Sequence, residues 1–190
     1  MLKKISSIDD NAISEFRKSG ISELMKSVES SDWAIAEELN DKIVGVAFMG
    51  GLFHVSGIQL LKEFQGKGLG KKLQNELIIE SKKHNYSFIT MFNDPRNEAS
   101  ENLHNSLGYK KLFRINYAPD VKQDFKIISF NTKGKILSNF LKIFNTKGGM
   151  FLLGLMLKSF FPIFIKFVNH TEDDRPNPNL KWILNNFEKI

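Results

Sequence analysis

Between a segment rich in β-branched residues and a run with helical apolar spacing, the chain reads Phe64-Gln65-Gly66-Lys67-Gly68-Leu69-Gly70-Lys71-Lys72-Leu73. Three glycines in five positions let the backbone turn tightly and leave its N–H groups unshielded by a Cβ. At the start of a helix such amides form an anion site suited to phosphate. Lys67, Lys71 and Lys72 crowd that start, where the macrodipole is positive and each exposed cation costs roughly 0.3–1 kcal/mol. A bound polyanion removes that penalty. Two familiar phosphate loops are excluded. A P-loop needs Ser or Thr after Gly-Lys, and Lys72 stands there; a dinucleotide fingerprint starting at Gly66 needs glycine at position 71, and Lys71 stands there.

The segments around this loop set the fold class. Leu2–Ile8 reads as a short strand, Asp9 or Asp10 caps a helix to Lys18, and 22–28 begins a second helical stretch. Trp33–Leu39, Lys42–Met49 and 53–61 read as strands joined by the turn signals Asn40-Asp41 and Gly50-Gly51. After the loop, Leu69, Leu73, Leu77 and Ile78 keep helical spacing as far as His84. A strand at 87–92, a helix at 97–107 closed by Gly108, and strands at 109–117 and 124–130 complete the body. The fold class is α/β, more narrowly α+β: a mixed, mostly antiparallel sheet flanked by helices.

Two stretches carry a resemblance. Gln65 to Gly70 fits the pattern Gln/Arg-x-x-Gly-x-Gly/Ala, and Asn97-Glu98-Ala99-Ser100-Glu101-Asn102-Leu103-His104-Asn105-Ser106-Leu107-Gly108-Tyr109 is similar to a helix written Asn…Ala…Leu-Tyr-x-x-Leu-Gly-Phe. Their separation and the order of elements also match. On these residues, 1–131 resembles the GCN5-related N-acetyltransferases (GNAT), and 132–190 lies outside the resemblance. The resemblance implies transfer of an acetyl group from acetyl-CoA to a primary amine by direct attack. It places the coenzyme A diphosphate on Gln65, Gly66, Lys67, Gly68, Leu69, Gly70 and Lys71. It places the pantetheine arm along Ile58, Gln59, Leu60 and Leu61, with Asn97 contacting the arm. An N-cap role for Asn97 stands beside that reading.

The chain departs from the family pattern at two positions. His104 stands where many members carry the tyrosine that protonates the leaving thiolate; an imidazole with an ordinary pKa near 6.5 suits that task. Phe92 stands where some relatives carry a glutamate base. Glu37, Glu38, His54 and Asp94 remain as candidate bases, each also readable as a surface or turn residue. The alternatives to an active enzyme are a coenzyme A-binding module with weak or no catalysis, and a peripheral membrane or scaffold protein acting through its tail.

The chain contains no cysteine, which excludes disulfides, cysteine-ligated zinc, iron–sulfur clusters and thiol nucleophiles. His54, His84, His104 and His170 show no metal-ligand spacing, and no metal is expected. The net charge of +6 is concentrated late: residues 1–130 carry 18 basic and 17 acidic side chains, whereas 131–190 carry 9 and 4. That section is a basic, Phe-rich helical extension, with Leu137, Phe140, Leu141 and Phe144 forming an amphipathic stripe that Gly148-Gly149 interrupts, a loop at 169–179 marked by Pro176 and Pro178, and a last short helix at Leu180–Ile190. Residues 150–168 are long enough to span a bilayer, but Lys158 near their middle favours a helix, or helix pair, buried on the body or on a second copy. A homodimer through these helices is one expectation; contact with an anionic membrane surface is the alternative. No nucleic-acid module is present. The N-terminus lacks a signal-peptide pattern, and the expected compartment is the cytoplasm.

Overall fold

The computed structural model describes residues 1–21, 28–29, 31–168 and 179–190, with backbone alone over 160–168. The helical stretch expected from residue 22 and the loop expected at 169–179 fall almost wholly outside the described residues. Among the described residues there are seven strands in sheet pairings, flanked by helices. The expected α+β class is therefore present. The chain divides into two compact units, one built on Met1–Asn85 and one on Tyr86–Ile165.

The first unit holds β1 (Leu2–Ile5), α1 (Asp10–Lys18), β2 (Trp33–Leu39), β3 (Lys42–Gly50), β4 (Val55–Leu60) and α2 (Leu69–Lys83). Asp9 caps α1 by accepting the Ala12 amide at 2.9 Å. The strands run antiparallel in the order β1-β2-β3-β4. Val44 is an extra residue in β3, since Glu37 pairs Gly45 while Glu38 pairs Ile43. Alternate residues serve opposite faces. Ala34, Ala36, Val46 and Phe48 pack with Ala12 and Phe16 of α1, whereas Met49 meets Ser81 of α2. Both faces are covered, so β3 is buried along nearly its whole length. β4 starts at Val55 rather than 53, because the turn runs on through His54 at φ +48°.

The second unit holds β5 (Phe88–Asn93), α3 (Glu98–Ser106), β6 (Lys110–Ala118), β7 (Val121–Ser129), α4 (Thr132–Leu141), α5 (Lys147–Val168) and α6 (Leu180–Asn185). Its strands are antiparallel in the order β5-β7-β6. β7 begins three residues earlier than expected, because Ala118 pairs Val121 across a two-residue turn at Pro119-Asp120. The helical tail shares a core with these strands: Leu141, Phe144, Met150, Leu153, Leu157 and Ile183 pack with Leu112, Phe113, Ile115, Phe125 and Ile127. Gly148-Gly149 does not end a helix. The break falls at Thr146, whose Oγ1 accepts the Gly149 amide at 3.0 Å and caps α5. The final helix stops at Asn185, where the sequence had suggested Ile190. Beyond it Glu188 bonds Arg114 at 2.8 Å and Lys122 at 2.5 Å. No single helix among the described residues is long and apolar enough to cross a membrane.

Candidate functional site

The glycine-rich loop opens α2 as the sequence required. Gly66 and Gly68 adopt φ of +72° and +79°, and a Cβ on either would meet nothing within 4 Å. Gly68 is the N-cap residue and offers no side-chain cap. Before it, the amides of Phe64 and Gln65 bond back to Leu61 and Lys62. After it, the first amide with a helical acceptor is that of Lys72, on the Gly68 carbonyl at 3.1 Å. Between them the amides of Gly66 to Lys71 have no acceptor among the described residues. No acidic residue occupies the first turn. The result is an open cradle of donors at the positive end of a 15-residue helix.

The three lysines part company. Lys67 stands over the Phe64 ring, its Nζ 5.2 Å from the centroid. Lys71 is exposed beside the cradle. Lys72 instead reaches β2 and pairs with the buried Glu37 carboxylate at 2.7 Å. It is thereby removed from the expected anion cluster, and Glu37 from the set of free bases. Gln65 turns its carboxamide onto the Leu60 carbonyl at 3.4 Å. Just past β4, the Leu61 amide donates to Val44 of β3 at 2.9 Å. By the two-residue period of a strand, Gln59 faces β3 as well, and the backbone groups of Ile58 and Leu60 point away from it.

In the second unit the position of Asn97 is settled locally. It is exposed and caps α3, accepting the Ser100 amide at 3.1 Å. His104 is buried on the same helix, edge-on to Tyr109. Its Nδ1 lies 2.6 Å from the Ser100 carbonyl oxygen. A carbonyl only accepts, so Nδ1 carries the hydrogen and Nε2 is left as a lone pair. Nε2 is buried and has no partner. Burial pushes the imidazole pKa down to about 4; the Ser100 carbonyl opposes this, and the nearby Lys126 ammonium adds to it. A ring that is neutral at pH 7, with its one N–H committed to the backbone, has no proton to give a thiolate. Neither feature suits the acid role expected of His104.

Among the other candidate bases, the Asp94 carboxylate is engaged, whereas Glu38 contributes only its main-chain carbonyl to a bond. Asp94 pairs with Arg96 at 2.7 Å, which holds its carboxyl below the usual range. Burial lowers the pKa of His54. The carbonyl of Glu38 accepts from the N-terminus. Phe92 packs edge-on against Phe125, with centroids 5.0 Å apart. Sequence reading missed the buried pair beneath α3, where Lys126 donates to Glu101 at 2.8 Å and Glu101 accepts from Asn93 at 2.8 Å. Only the placement of β7 against α3 joins those residues. Among the described residues no cluster of three or more His, Cys, Asp or Glu is arranged to hold a metal.

Residues 4–117, more than half of the chain, match the family model for the acetyltransferase (GNAT) domain. The chain belongs to the GNAT family. Its class is therefore that of an N-acetyltransferase. Solved GNAT-type structures share the fold. An acetyltransferase from Acinetobacter baylyi is 17% identical at TM-score 0.58, covering 68% of this chain and 93% of its own. A GNAT-family acetyltransferase from Streptococcus pneumoniae is 14% identical at TM-score 0.55, covering 69% and 99%. One from Elizabethkingia anophelis, solved with acetyl-CoA bound, is 13% identical at TM-score 0.55, covering 68% and 97%. No curated protein matches the sequence.

Proposed function

We propose that this GNAT protein moves an acetyl group from acetyl-CoA to a primary amine. The observation that carries the reading is the run of acceptor-less amides from Gly66 to Lys71, opened by two left-handed glycines at the head of α2. These donors suit a diphosphate, and Lys67 and Lys71 supply the countercharge. The backbone groups of Ile58 and the Leu60 amide face away from β3, where the amides of a pantetheine arm can pair as an added strand, while the Leu60 carbonyl is held by Gln65. Acetyl-CoA enters as a substrate that brings the activated thioester. The neutral amine attacks the thioester carbon; the C–N bond forms, the C–S bond breaks, and the proton shed by nitrogen ends on the thiol or in water.

His104 in this reading does not protonate the sulfur. Its Nδ1–H is spent on Ser100, and its buried Nε2 is a lone pair with no donor among the described residues. A second reading, a coenzyme A-binding protein with little turnover, draws on that same loss of an acid and on Phe92 at the base position. Two measurements separate them. Calorimetry with coenzyme A is expected to give saturable heat, and acetyl-CoA consumption is expected with at least one member of an amine panel. Heat without consumption favours the second reading, and no heat removes both. A cytoplasmic location, free or on the inner face of a membrane, is part of the proposal, checked by protease protection in cells that express the tagged protein.

A further inference from the structure

Seven of the twelve large apolar side chains that stand exposed among the described residues lie between Ile136 and Met156. This stretch lies beyond the part of the chain that matches the family. α4 buries Gly134, Ser138 and Leu141, and the short 3-10 turn after it buries Phe144. Their opposite side presents Ile136, 64% exposed, and Phe140, 65% exposed, with Ile143 one turn on. α5 repeats the pattern. It buries Met150, Leu153 and Leu157 and turns Phe151, Leu152 and Leu155 outward. Each helix is therefore apolar on two sides, although only one of them has a core to meet.

The charge along these two helices has a single sign. From Thr132 to Ser159 the sequence holds Lys133, Lys135, Lys142, Lys147 and Lys158 and no Asp or Glu. All five lysines are exposed. The helices Thr132–Asn145 and Lys147–Ser159 reach the length and apolar composition of a membrane span only when taken together, and the pair is bent by 97°. A bend of that size suits a surface more than a crossing.

We propose that this face docks on an anionic phospholipid surface, with the Phe, Ile and Leu side chains entering the acyl boundary and the lysines at the headgroups. Both halves of the patch have a use there: buried apolar area and attraction to anionic lipid act together. Lysine stems can lie along the apolar surface while their ammonium groups stay at the phosphates. A second copy of the chain fits less well, because it would bring five more lysines against these with no carboxylate to pair them. A nucleic acid would use the lysines and leave the aliphatic groups in water.

The test uses the full chain. Flotation is run with vesicles of phosphatidylcholine alone and of phosphatidylcholine with phosphatidylglycerol in equal parts. Binding is expected only to the anionic vesicles, falling at least about tenfold when salt shortens the screening length from about 10 Å to about 3 Å. Two variants sit at exposed positions that the core does not use. One combines Ile136→Ser, Phe140→Ser and Ile143→Ser; the other combines Lys133→Gln, Lys135→Gln, Lys142→Gln and Lys147→Gln. Each is expected to lose at least about tenfold in vesicle binding while keeping the parent melting transition. Absence of binding to anionic vesicles, equal binding to both vesicle types, or unchanged binding by the two variants overturns the proposal. A dimer in sedimentation equilibrium that the serine variant converts to monomer assigns the face to a second copy and overturns it too. Should the serine variant fail to fold, the glutamine variant decides.

Discussion

His104 Nδ1 lies 2.6 Å from the carbonyl oxygen of Ser100, one helical turn back. That contact fixes the tautomer, and burial fixes the charge. The folded pKa is about 4, against an ordinary value of 6.5. Between those values the unfolded chain takes up a proton that the folded chain refuses. The stability contributed by His104 is thus full above about pH 6.5 and is lost as pH falls toward 4, by up to about 3 kcal/mol. Melting curves from pH 7 to 4 should show His104→Phe less pH-sensitive than the parent. Its kcat should stay within about threefold of the parent, where loss of a true general acid costs about 100-fold or more.

The loop glycines make a separable prediction. Gly66→Ala and Gly68→Ala meet no neighbouring atom, so their cost is backbone strain alone, about 1–2 kcal/mol each. A residue that leaves the left-handed region also turns its amide away from the cradle. Calorimetry should show coenzyme A affinity reduced by about tenfold or more in Gly68→Ala, a loss of roughly 1.4 kcal/mol.

Lys71 and Lys72 are adjacent in sequence and should behave as opposites. Lys71→Ala removes an exposed cation beside the amides, so affinity for coenzyme A and its salt dependence should both fall while stability holds. Lys72→Met leaves the Glu37 carboxylate buried without its main partner. The Lys72 ammonium is half exposed, which screens the pair. The cost should be about 1–2 kcal/mol, below that of breaking a fully buried pair. Adding Glu37→Gln should recover most of it in a denaturant titration.

The loop, the strand before it and the helix after it were legible because glycine, alternation and 3.6-residue spacing act over neighbours in sequence. The direction of each lysine was not legible. Lys71 and Lys72 look alike as residues, and only the arrival of Glu37 on β2 tells them apart. The same holds for His104: its place in the family pattern was readable, but its tautomer follows from a Ser100 carbonyl and a buried Lys126 whose position requires β7. Residues 132–190 showed their amphipathic stripe in sequence. That the stripe would fill the core of β6 and β7, while a second apolar side faced outward, required the sheet.

The division of the chain at 131 can be put to a direct test. The tail contributes Leu141, Phe144, Met150, Leu153, Leu157 and Ile183 to the core that covers β6 and β7. Each buried side chain of this kind contributes about 1.5–3 kcal/mol. Six of them together match or exceed the 5–15 kcal/mol that holds a typical domain folded, taken as about that range. The attachment is close as well as apolar. A Cβ on Gly134 would sit 2.0 Å from the Ser87 carbonyl oxygen, which is backbone and has little room to move. A fragment ending at 131 should therefore lose its cooperative melt and bind a hydrophobic dye. Gly134→Ala in the full chain should cost about 1–3 kcal/mol by forcing α4 off that contact. A 1–131 fragment that melts cooperatively at the parent temperature would show that the strands hold together without the tail.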